Sequence, residues 1–150
     1  MYKLHTIALI AFTFCLFNAS AQKISAVEKK AAGKLPQLND QFVSAAKRCF
    51  DQFIVKLREG DIEGAKTFLA PQVRNMMTAT VFSKLSSFVK PGPFKIYTHR
   101  VEDFKGINYL AIQFTYANAP EKPTDFMKVL FDQDNLIISV QPLMMKEPHG

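Results

Sequence analysis

From residue 38 to residue 58 the apolar positions recur at intervals of three and four: Leu38, Phe42, Ala46, Cys49, Phe53 and Leu57, with Ala45, Phe50 and Ile54 widening the stripe. This spacing predicts an amphipathic helix from about Asp40 to Arg58. Asn39 is placed to cap its start and Gly60 to stop it. Asp61 then caps a short helix, Ile62 to Leu69, which Pro71 ends, and Gln72 to Met77 forms a further helical turn. Thr78 caps a third helix, Ala79 to Val89, whose inward face is Val81 or Phe82, Leu85, and Phe88 or Val89. Pro91-Gly92-Pro93 separates this helical half from the strand half.

Beyond Phe94 the period changes to two. With Lys105-Gly106 as a two-residue turn, Phe104 faces Ile107 and the register of a hairpin follows. One face then collects Tyr97, His99 and Val101 with Leu110, Ile112, Phe114 and Tyr116. The other carries Thr98, Arg100, Glu102, Tyr109, Gln113 and Thr115. A second hairpin joins Asp125–Phe131 to Leu136–Pro142. Pairing Phe131 with Leu136 places Met127, Val129, Leu136, Ile138 and Val140 on one face. Helices first and antiparallel strands afterwards predict an α+β fold, with N-terminal helices packed on one face of the sheet.

The first residues alter this picture. Met1-Tyr2-Lys3, the apolar run Ile7 to Phe17 and the small residues Ala19-Ser20-Ala21 have the form of a cleavable signal peptide, cut after Ala21. The run is shorter than the roughly 20 apolar residues a membrane span requires, and no later stretch reaches that length. The expected organisation is a signal peptide at 1–21, a flexible leader at 22–36, a folded domain at 37–143 and a tail at 144–150. The expected location is secreted or periplasmic. Removing the signal takes Cys15 with it and leaves Cys49 alone, so no internal disulfide is available.

The chain has 150 residues and a formal net charge of +6, and 48% of it is hydrophobic, which fits one globular domain. Its excess charge is concentrated in the leader around Lys23, Lys29, Lys30 and Lys34. No aromatic residues alternate with these lysines, so they predict no nucleic-acid partner. The sequence lacks G-x-S-x-G, G-x-x-x-x-G-K-[ST], H-E-x-x-H and C-x-x-C, and this reading assigns no catalytic residue, no metal and no cofactor. Asp132-Gln133-Asp134-Asn135 lacks the glycine and glutamate of a calcium loop and reads as an acidic turn, with Asn135 tolerating positive φ.

One group carries candidate chemistry. Tyr97, His99, Ile112, Phe114 and Tyr116 share a face in the predicted register and form a candidate pocket. A histidine in an apolar pocket is held neutral by desolvation and can serve as a base, with Asp51 of the long helix as the carboxylate. A one-residue slip of the strand would instead turn His99 toward solvent.

Gly60-Asp61-Ile62, then Ala65, Phe68-Leu69, Pro71 and Val73, resembles the opening of a bacterial exported family of domains of unknown function that often precede serine-hydrolase modules. The Thr78–Phe88 helix, the Lys105-Gly106 turn and Val129-Leu130-Phe131-Asp132 with Asp134-Asn135 and Ile137 follow the same layout, over about residues 40–142. The resemblance implies the cone-shaped α+β fold of the nuclear-transport-factor-2-like superfamily, in which a curved sheet wraps helices around a pocket. Asn135 stands where that family usually has glycine, and the third helix lacks its tryptophan. No hydrolase module follows in this sequence, so the resemblance implies no hydrolase activity and transfers no catalytic residue.

The expected function is that of a non-catalytic exported domain that binds a small apolar ligand or a protein partner. A small-molecule isomerase, lyase or hydratase using His99 with Tyr97 or Tyr116 is the enzymatic alternative, and a homodimer through the sheet face is the structural one.

Overall fold

Asn39 starts the long helix by accepting a hydrogen bond on its side-chain oxygen from the Phe42 N–H, at 2.8 Å. The helix, α1 (Asp40–Glu59), ends at Gly60, whose φ of 73° is left-handed. That conformation lets the Gly60 and Asp61 N–H groups close on the carbonyls of Leu57 and Lys56. Phe42, Val43, Ala46, Phe50, Phe53, Ile54 and Leu57 bury one stripe of α1, as the three- and four-residue spacing requires. Cys49 lies at the margin of that stripe, half-buried, and packs against the core. The computed structural model describes residues 38–145, all within one compact unit of the chain. The expected signal peptide lies outside the described residues, as do the whole of the leader and most of the tail.

Asp61 caps α2 (Ile62–Lys66) by accepting from the Gly64 N–H at 2.8 Å. The predicted continuation of this helix to Leu69 does not occur. The Ile137 N–H donates to the Phe68 carbonyl at 2.9 Å, and the Ala70 N–H donates to the Ile137 carbonyl at 2.8 Å. These bonds make a parallel bridge between Leu69 and Ile137, and bridging needs extended backbone. A 3₁₀ helix, Pro71–Met76, follows, and then α3 (Ala79–Phe88), capped by the Thr78 hydroxyl. Leu85 is the buried residue of α3, with Val81, Phe82 and Val89 packed more loosely on the core.

Four strands complete the fold: β1 (Phe94–Phe104), β2 (Ile107–Tyr116), β3 (Asp125–Phe131) and β4 (Ile137–Met144). They form one antiparallel sheet in the order β1-β2-β3-β4. The architecture is therefore α+β. Lys105 and Gly106 both have positive φ, 53° and 81°, which is the type I′ geometry of a two-residue hairpin turn, and Phe104 pairs with Ile107 as the spacing predicts. Leu110, Ile112 and Phe114 of β2 join Met127, Val129 and Phe131 of β3 in the core with α1.

The sheet departs from the predicted alternation at two bulges. In β1, Ile96 pairs with Phe114 but Thr98 pairs with Gln113, so Tyr97 is an extra residue. The bulge re-aims Tyr97, and its ring meets that of Phe126 at 5.0 Å instead of sharing a face with Ile112 and Phe114. In the second hairpin Phe131 pairs with Ile137, not Leu136, while Leu130 pairs with Ser139. Ile138 is the extra residue there, and Ile137 takes the fully buried position expected of Leu136. Asn135 closes the preceding turn at φ 59°. Asp132 organises that turn by accepting from the N–H groups of Asp134 and Leu136, both at 2.9 Å.

Candidate functional site

The bulge in β1 separates two environments. Before it, Phe94 is buried and Ile96 packs on the core; after it, the strand runs past the cover that the helices provide. His99 pairs with Ile112, as predicted, yet His99 is exposed while Ile112 is fully buried. Val101, opposite the buried Leu110, is likewise 43% exposed. Solvent reaches His99, and the apolar pocket expected around it is absent. Asp51, its expected carboxylate partner, forms an ion pair with Lys47 at 2.6 Å.

Ile112 and Phe114 do not line an opening. Both are fully buried, and the Phe50 ring stacks on Phe114 with centroids 4.1 Å apart. The five residues grouped by the sequence pattern are thus divided: two lie in the core, two are exposed on β1, and Tyr116 alone borders a cleft.

That cleft lies at the end of the sheet where β2 stops and β3 starts, beside the C-terminus of α3. Phe94, Tyr116, Phe126 and Met144 contribute to its walls, and Lys90 and Asp125 form its charged margin. The Lys90 ammonium contacts the Asp125 carboxylate at 2.6 Å and lies 6.0 Å from the centre of the Tyr116 ring. The Tyr116 hydroxyl accepts from the Lys90 N–H at 2.8 Å and donates to the Phe88 carbonyl at 3.4 Å. Its two polar contacts therefore tie the end of α3 to the sheet. The cavity volume is about 30 Å³, far below the roughly 300–1,000 Å³ of a typical small-molecule site.

Comparison of the chain with known protein families, with curated proteins and with solved structures returns no match. The local geometry therefore carries the functional argument. Met144 and Met145, beside the cleft, are 69% and 63% exposed, and Tyr97 on the bulge is 51% exposed. The sequence pattern contained no periodic signal for the cleft: Phe126 and Met144 reach it through the pairing of β3 with β4, and Tyr97 meets Phe126 through the extra residue in β1.

Glu102 accepts from Lys128 at 2.9 Å and from Arg100 at 2.6 and 2.8 Å on the outer face of the sheet. Partial burial alone would raise its pKa, but these two cations outweigh that effect and hold it below the ordinary value. Burial pushes the Cys49 thiol up to about 11, with the nearby Asp132 carboxylate adding to the effect. A thiol so placed is a poor nucleophile. Among the described residues no group of three or more His, Cys, Asp or Glu side chains is placed to hold a metal ion.

Proposed function

We propose that this chain is an exported, non-catalytic binding domain whose open sheet end receives an apolar side chain of a protein partner. The observation that carries this reading is the shallow cleft, about 30 Å³ in volume, walled by aromatic rings and bordered by the exposed Met144. A hollow of that size admits a side-chain tip or on the order of two water molecules, not a whole metabolite. Methionine is suited to such a surface because its unbranched thioether side chain repacks around different partners. The Lys90–Asp125 pair at the margin supplies polar groups that would fix the partner's orientation.

The form of residues 1–21 supports export. Helices followed by an antiparallel sheet support the nuclear-transport-factor-2-like layout as the framework. The exposure of His99 gives no support to an isomerase, lyase or hydratase. The small volume of the cleft favours a protein over a small apolar ligand.

A photo-activatable phenylalanine analogue placed at Met144 tests the proposal in the cells that export the protein. The expected result is a discrete protein adduct from position 144 and none from Lys84, which is exposed on α3. Absence of any adduct, or a stoichiometric small molecule retained in native mass spectrometry, overturns it.

A further inference from the structure

The two edges of the sheet are treated differently. At β4 the start of the strand is covered by the parallel bridge to Leu69, and Pro142 further along removes one N–H donor. At β1 the seven residues after the bulge, Thr98 to Phe104, form an outer strand with no neighbouring strand on its far side among the described residues. The type I′ turn at Lys105-Gly106 makes Phe104 and Ile107 a mutually hydrogen-bonded pair. By the alternation of antiparallel ladders, Thr98, Arg100 and Glu102 also direct their backbone groups toward β2. His99, Val101 and Asp103 direct theirs outward.

The charges nearest Val101 are arranged antisymmetrically about it. Arg100 precedes it and Glu102 follows it, with His99 and Asp103 one residue further out on either side. A second copy of the same strand running antiparallel must bring residues of like outward phase together, so the two-fold axis passes at a single residue. Centred on Arg100 or on Glu102, the pairing sets like charges against each other. Centred on Val101, it sets Arg100 of each copy opposite Glu102 of the other, and His99 opposite Asp103. It also joins the two Val101 residues, 43% exposed in the single chain, across the axis. Residue i meets j and j meets i, as a two-fold interface demands.

We propose that this protein forms a homodimer by antiparallel pairing of the β1 edges in the register centred on Val101, giving one continuous eight-stranded sheet. The interface is distinct from the cleft at the end of the sheet, and the proposal does not depend on the binding function inferred there. Charged side chains ordinarily protect an edge strand from association. Here their order along the strand opposes the two adjacent registers and favours the one centred on Val101, so the same charges provide specificity. The existing contacts of Glu102 with Arg100 and Lys128 become part of a larger network of alternating charge across the axis.

Sedimentation velocity of the full chain over a concentration series tests the dimer. Arg100→Glu and Glu102→Arg each place like charges opposite one another twice across the axis, and each is expected to weaken self-association about tenfold or more. An equimolar mixture of the two variants restores unlike charges at both positions and recovers dimerisation between them. Val101→Pro removes an outward N–H that the β1–β2 ladder does not use, and is expected to leave circular dichroism unchanged while abolishing the dimer. A wild-type chain that stays monomeric at every concentration overturns the proposal. So does self-association that Arg100→Glu leaves unchanged, or a mixture of the charge variants that stays monomeric.

Discussion

The ring of Phe50 on α1 lies almost parallel to that of Phe114 on β2, with an interplanar angle of 13° and centroids 4.1 Å apart. Phe94 meets Phe50 in an edge-to-face arrangement at 5.2 Å, which links the start of β1 to the same contact. All three rings are buried, and together they join the helical half of the chain to the sheet.

Truncation at this point removes contacts on three elements at once. Phe50→Ala is expected to cost about 3–5 kcal/mol, the range for loss of a fully buried aromatic side chain. Chemical denaturation reads it as a lower midpoint with little change in slope. A loss under about 1 kcal/mol would mean that the stacked rings are not the anchor between helix and sheet.

Tyr116→Phe keeps the ring that packs on Phe94 and removes only the hydroxyl that joins Lys90 and Phe88. The expected cost is about 1 kcal/mol, the net value of an ordinary hydrogen bond. Hydrogen exchange should quicken at the end of α3 before it quickens in β2. Uniform quickening would contradict a local tie.

The Cys49 thiol donates weakly to the Phe68 carbonyl at 3.8 Å and is desolvated by its surroundings. With its pKa near 11, reaction of the native protein with a disulfide reagent at pH 8 should be roughly 100-fold slower than that of the unfolded chain, since only the thiolate attacks. Replacing Asp132 with Asn removes a nearby negative charge and should quicken labelling. Equal rates in native and denatured protein would contradict the burial.

Two carboxylates should respond to acid with opposite sign. Glu102 is held below its ordinary value of 4.5, so it contributes stability above that value, and the contribution is lost as pH falls through the lower folded value. Burial raises Asp132 above 3.8, more than the N–H groups of Leu136 and Asp134 lower it. Its ionisation therefore opposes folding at neutral pH, and that penalty is relieved as pH falls through the raised value. Glu102→Gln should accordingly flatten the acid limb of a stability profile. Asp132→Asn, which keeps an oxygen acceptor for the turn, should stabilise the protein at pH 7. Denaturation midpoints between pH 2 and pH 7 check both, and a destabilised Asp132→Asn at pH 7 would contradict the sign for that residue.

Much of the architecture follows from local patterns. The stripe from Phe42 to Leu57 marks α1, Asn39, Asp61 and Thr78 mark helix starts, and Lys105-Gly106 marks the hairpin turn. Each rests on short-range physics: side-chain periodicity, a side-chain oxygen within reach of a free N–H, or a backbone that tolerates positive φ. The α+β order of helices before strands is legible for the same reason.

The placement of the candidate residues required tertiary structure. One extra residue at Tyr97 moves its ring to Phe126, and another at Ile138 makes Ile137 the core residue of β4. A bulge costs so little in a single strand that no local pattern announces it; the partner strand and the packing of the core decide where it falls. His99 keeps its predicted strand partner yet faces solvent, because burial depends on how far the helices extend over β1 rather than on alternation within it. The sequence by itself determined the elements, their caps and the hairpin turn. Only the packing of distant segments decided which of the paired residues are enclosed and where the sheet stays open.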